Sequence, residues 1–86
     1  MQPKFESHKI VRIKALQESL KVKVKDYGGN EAVNDIHHYD GIAGRIIKQV
    51  VGPSVEWQIA QWFYDIEIKE GNTIYGVPER FLEEAT

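Results

Sequence analysis

Apolar and polar positions alternate along much of this chain. Leu20, Val22 and Val24 interleave with Lys21, Lys23 and Lys25. A period of two puts one face of a strand on a core and the other in water. Residues 9–14, with Ile10, Val11 and Ile13, form a β-branched run that reads as an earlier strand. Ile10, Ile13, Leu16, Leu20 and Val24 also fall near helical spacing, but the strict alternation favours two strands joined by a turn over 15–19.

Tyr27-Gly28-Gly29-Asn30 is a turn signal. Residues 31–40 are polar, with Ala32, Val33 and Ile36 as apolar anchors, and fit either a short helical turn or a long ordered loop. Residues 41–51 read as a strand entered through a bend at Gly41 and Gly44, where a missing Cβ lets backbones approach. Gly52-Pro53-Ser54 breaks that run: proline cannot donate to a ladder, so the strand ends there or lies at an edge. The longest apolar-rich segment spans 55–68 and places Trp62, Tyr64, Ile66 and Ile68 on one face. Phe63, Asp65, Glu67 and Lys69 take the other. Gly71-Asn72 then makes a hairpin turn into residues 73–77. Pro78 opens a single helical turn, after which Phe81 and Leu82 tuck inward.

These elements predict one mostly β domain over residues 1–86, a small antiparallel barrel of about five strands with a long loop or short helix between strands 2 and 3. Three segments carry a family likeness: Asp40-Gly41-Ile42-Ala43-Gly44-Arg45-Ile46-Ile47, Tyr64-Asp65-Ile66-Glu67-Ile68, and the closing Tyr75-Gly76-Val77-Pro78-Glu79-Arg80-Phe81-Leu82-Glu83. Together they resemble an SH3-like small β-barrel, a pattern shared by bacterial accessory, immunity-type and translation-associated proteins. The resemblance spans about residues 9–84 and implies a binding or accessory role. The chain lacks the dense basic residues of a ribosomal barrel and has no cysteine for an iron–sulfur cluster.

Composition narrows the function classes. With 86 residues, 42% of them apolar and 28% charged, the chain has the makings of one folded domain. The absence of cysteine rules out a disulfide framework and a thiolate metal site. The opening residues have no apolar leader region, and no run approaches the roughly 20 apolar residues that cross a bilayer. The expectation is a soluble cytoplasmic protein without a membrane partner or cofactor. A net charge of −2 argues against a dedicated nucleic-acid binder. Lys9, Arg12, Lys14, Lys21, Lys23 and Lys25 nevertheless crowd the first third and form an alternative nucleic-acid or ribosome-binding face.

Chemistry-bearing groups are sparse. His37-His38-Tyr39-Asp40 is the densest set, but adjacent histidines on extended backbone point to opposite faces and cannot easily grip one metal ion. No nucleophile elbow or glycine-rich phosphate loop is present, and Glu31, Asp35 and Asp40 lie in a polar stretch with no sign of a pKa-shifting pocket. The chain therefore reads as non-enzymatic. Among the aromatics, Trp62, Tyr64 and Tyr75 are expected to fill the core. Trp57 and Phe63, with Tyr39, are the expected exposed anchors for a protein partner. His37, His38 and Asp40 on the preceding polar stretch would supply specificity.

Overall fold

The alternation at residues 20–25 does what its period requires. In the computed structural model, which describes residues 2–53, 60–68 and 71–85, Val22 and Val24 are buried while Lys21, Lys23 and Lys25 stand in solvent. Seven strands form among these residues: β1 (Ile10–Ile13), β2 (Lys21–Lys25), β3 (Glu31–Asp35), β4 (Ala43–Pro53), β5 (Ala60–Ile68), β6 (Asn72–Pro78) and β7 (Leu82–Glu84). Two 3-10 turns, Ile36–Tyr39 and Glu79–Phe81, are the only helical pieces among the described residues. All strand pairings are antiparallel, and the sheet order is β3-β2-β6-β5-β4-β1-β7.

The architecture is mostly β as expected, but the barrel of about five strands is corrected. The sheet has seven strands and is open, with β3 and β7 as its two edges. The stretch expected as a loop or short helix between strands 2 and 3 supplies one of the extra strands. Asp26 makes the reversal: its Oδ1 accepts from Asn30 N at 2.9 Å, and its carbonyl accepts from Gly29 N at 3.0 Å. The chain is thereby returned onto β2, pairing Lys25 with Glu31 and Lys21 with Asp35. Leu82–Glu84 closes the opposite edge against β1.

One apolar cluster serves the whole sheet. It takes Val11 and Ile13 from β1 and Val22 and Val24 from β2, with Ile46, Tyr64, Ile66 and Ile74 between them. β2 and β1 are four steps apart in the strand order, which is about 19 Å in a flat sheet. Their sharing one core means the sheet curls around it. Two register shifts drive that curvature, between Ile46 and Lys48 on β4 and between Tyr64 and Ile66 on β5. At the second, Asp65 Oδ1 accepts from Gly76 N at 2.9 Å.

Gly44 lets β4 lie close to β5. A Cβ there would stand 2.5 Å from Ile66 Cγ2 and 2.8 Å from the Glu67 carbonyl oxygen. Trp62, Tyr64, Ile66 and Ile68 share the core-side face of β5 as the alternation predicts, although Trp62 is only partly buried. Tyr75 departs from expectation. It lies opposite Lys23 on the outer face of β6, half-buried, while Ile74 and Val77 turn inward on either side of Gly76.

Candidate functional site

Among the described residues, three of the six exposed large apolar side chains lie on β4, the others being Ile10, Tyr27 and Val33. Ile47, Val50 and Val51 on β4 keep 38%, 40% and 51% of their surface. Val50 lies opposite Phe63 and Val51 opposite Trp62 on β5. Directly opposed residues share a face, so Val50 and Phe63 stand on the outer side, and Val51 and Trp62 on the core side. Phe63 is half-buried. Its Cε2 lies 3.4 Å from where a Gly52 Cβ would be, and Pro78 is its partner on β6. Trp62 packs against the core with its indole Nε1 buried and without a hydrogen-bond partner. Polar groups border the patch: Lys48 opposite Asp65 on one side, and Arg80 Nη1, 3.4 Å from Gln61 Oε1, on the other. Trp57, expected to anchor this surface, lies outside the described residues.

The histidine segment is bound mostly to its own fold. Asp35 caps the first 3-10 turn, its Oδ1 accepting from His37 N at 2.9 Å, and Ser19 Oγ donates to its Oδ2 at 3.3 Å. The His37 ring pairs with Asp35 through Nδ1 and lies 2.8 Å from the Leu16 carbonyl oxygen through Nε2. Both ring nitrogens thus face acceptors, an arrangement fully satisfied only when each carries a proton. The Asp35 carboxylate and then the Leu16 carbonyl accordingly raise the imidazole pKa above its ordinary 6.5. His37 in return, chiefly through its backbone N–H, pulls Asp35 down to about 2.

The neighbouring candidates are engaged too. Asp40 Oδ1 accepts from Ala15 N at 2.8 Å, and Tyr39 OH accepts from Asn34 Nδ2 at 2.7 Å. His38 is exposed, with its ring edge-on to Tyr39 at 6.4 Å. These bonds clasp the 14–20 connection to the turn. Among the described residues, no three of histidine, aspartate and glutamate converge to hold a metal ion. Tyr39 packs against the core cluster while Phe63 stands on the outer face of β5, so these two aromatics do not form one patch.

The basic residues are divided. Lys21, Lys23 and Lys25 line the outer face of β2, whereas Lys9, Arg12 and Lys14 lie on or beside β1, four steps along the sheet. Lys23 pairs with Glu31 at 3.2 Å and Lys9 with Glu84 at 3.3 Å. Sequence reasoning missed a different group altogether: Gln49, Tyr64 and Glu79, which hold the segment before β1. The one signal for it was Phe5, a lone large apolar residue in a polar stretch.

At this level the chain is an antiparallel β domain with an apolar strand pair on its surface. No protein-family model, curated protein or solved structure matches it.

Proposed function

We propose that the chain is a non-enzymatic protein-binding module that docks its partner on the outer halves of β4 and β5. The observation that carries this reading is exposed Val50 directly opposite half-buried Phe63 on the outer face, with exposed Ile47 nearby on β4. Scattered single apolar residues need no explanation on a small domain, but an exposed aliphatic residue paired across strands with a large aromatic makes a local apolar patch. A large aromatic seated among aliphatics, with Lys48, Asp65 and Arg80 at the margin, has the composition of an interface centre with a polar rim. The sequence resemblance to SH3-like modules supports the same class of role, either as an inhibitor of the immunity type or as an accessory subunit of a larger enzyme.

A second reading draws on the column of Lys21, Lys23 and Lys25, all exposed on one face of β2. That column could meet a nucleic-acid backbone, and its affinity would then fall steeply with salt.

One experiment separates the two. Wild type, Val50→Asp with Phe63→Ala, and a triple lysine-to-glutamine variant at 21, 23 and 25 are each used to capture partners at low and high salt. Thermal melts check that each variant folds. A protein retained by wild type at high salt and lost by the β4–β5 variant is the expected result. Equal retention by that variant overturns the proposal, and RNA or DNA lost with salt or with the lysines supports the alternative.

A further inference from the structure

β4 runs past the strand that covers its edge. β1 pairs with it only through Ala43, Gly44 and Arg45. Ile46 completes that side, its N–H donating to the Lys9 carbonyl at 3.0 Å and its carbonyl accepting from His8 N at 2.8 Å. Before His8 the chain leaves the edge. Lys9 N donates to the Glu6 carbonyl at 3.1 Å, and this turn sends the preceding residues across the core side of β4 and β5. There Phe5 is 1% exposed in a socket where Gln49 Nε2 donates to its carbonyl at 2.6 Å and Tyr64 OH accepts from its N–H at 3.3 Å. Residues 47–53 are thereby left as a third strand edge. Among the described residues no strand lies beside them on the side away from β5.

The three edges differ in whether they can meet themselves. Two copies of one strand pair antiparallel about a twofold axis, so residues equidistant from the axis come face to face. In the register that pairs the whole of β3, the axis falls at Val33 and sets Glu31 against Asp35 on both sides of it. On β7 the axis falls at Glu83, which then opposes itself. Like charges directly opposed are destabilising. For residues 47–53 the axis falls at Val50, setting Gln49 against Val51 and Lys48 against Gly52, with no like charges opposed. That register also joins the apolar surfaces. Val50 already lies opposite Phe63 on β5, so Phe63 and Val50 of one copy continue directly into Val50 and Phe63 of the next on the outer face.

We propose that residues 47–53 of β4 pair antiparallel with the same residues of a second copy, across a twofold axis at Val50, giving a symmetric dimer. This rests on reading the β4–β5 surface as a docking site and makes a second copy its occupant. An open edge with apolar side chains is a template for uncontrolled pairing, and lysine and proline are the residues that limit it. Here Lys48 faces Gly52 of the other copy, and Pro53, which has no N–H to donate, bounds the pairing. A twofold contact uses both edges and closes at two copies.

The test follows the full chain by light scattering over a wide concentration series, with thermal melts checking that each variant folds. A dimer is expected. Val50→Lys and Val50→Glu each oppose like charges across the axis and should weaken it about 10-fold, and an equimolar mixture of the two should regain it. The chain has no cysteine, so Val50→Cys reports the register: opposed strand residues are close enough for two copies to link by a disulfide. Val33→Cys, on the β3 edge, should not link. A wild type that stays monomeric throughout overturns the proposal. So does a dimer indifferent to residue 50, a mixture no tighter than its components, or a Val33 link formed as readily as the Val50 link. The docking reading fails separately, when Val50→Asp with Phe63→Ala retains a different captured protein as well as wild type does. A monomeric chain that loses that protein on the same substitutions overturns the dimer alone.

Discussion

Replacing Gly44 by alanine tests the close approach of β4 to β5. The added methyl would sit 2.5 Å from Ile66 Cγ2, 2.8 Å from the Glu67 carbonyl oxygen and 3.0 Å from Ile68 Cγ2. Ile66 has no room to yield, since it is wholly buried beside the register shift of β5, and the carbonyl belongs to the strand backbone. The strands must part, and overpacking of this kind typically destabilises by about 1–3 kcal/mol. Alanine recovers about 0.4–1 kcal/mol by restricting the unfolded chain. A net loss of about 1–2 kcal/mol follows from the upper part of that range, where an immovable backbone atom places this site. For a domain of this size each kcal/mol shifts the melting temperature by about 4–8 °C, so a drop of about 4–16 °C is expected by calorimetry. Gly28→Ala is the control, because a Cβ there meets nothing closer than 3.5 Å. If Gly44→Ala melts no lower than wild type, the close approach of β4 to β5 does not require glycine at this position.

Three further outcomes follow from the polar contacts. Tyr64→Phe removes the acceptor for Phe5 N and the donor to Glu79, and should lower stability by about 1–3 kcal/mol in denaturant titration; no change would mean the Tyr64 hydroxyl takes no part in holding the segment before β1. Burial, and then the Glu79 bond, raise the Tyr64 phenol from 10.0 to about 12, so its contribution is complete below pH 10 and disappears between about pH 10 and 12. Tyr64→Phe should flatten that alkaline loss, measured by melting across the range. His37 has a raised pKa, so its clasp on Asp35 and Leu16 is complete below pH 6.5 and weakens as pH rises through the raised value. Asp35, lowered from 3.8 to about 2, gives the acid limit, with its contribution lost as pH falls between those values. An NMR titration placing the His37 imidazole at or below 6.5 would contradict the clasp.

Much of the fold was legible because strand faces are a local property. The alternation of Val22 and Val24 with lysines, and of Trp62, Tyr64, Ile66 and Ile68 with Phe63, Asp65 and Glu67, assigns inside and outside with no knowledge of partners. Gly44 marked the close approach and Pro78 the start of a 3-10 turn, since each reflects a backbone restriction carried by the residue itself. The apolar run of β4 was visible as well, but not its exposure. Ile46 is buried and Ile47 exposed because consecutive strand residues point to opposite faces, and two adjacent isoleucines do not reveal which of them faces the core.

What lay beyond the sequence concerns partners distant in the chain. Whether residues 31–35 become a loop or an edge strand depends on β2 being free to pair on that side, which local composition does not record. Tyr75 faces outward because Gly76 and Asp65 shift the register, breaking the period that sequence reading assumes. Tyr39 and Phe63 looked like parts of one patch but lie on opposite sides of the sheet. Phe5 is held by Gln49 and Tyr64, which bond its backbone, and by Glu79, which bonds Lys4 N across 75 residues. Periodicity and turn chemistry in the sequence therefore determined which residues form strands and which way those strands face. The order of the strands, the openness of the sheet and the socket for Phe5 were decided only in the folded state, because long-range pairing and burial select among many locally equivalent arrangements.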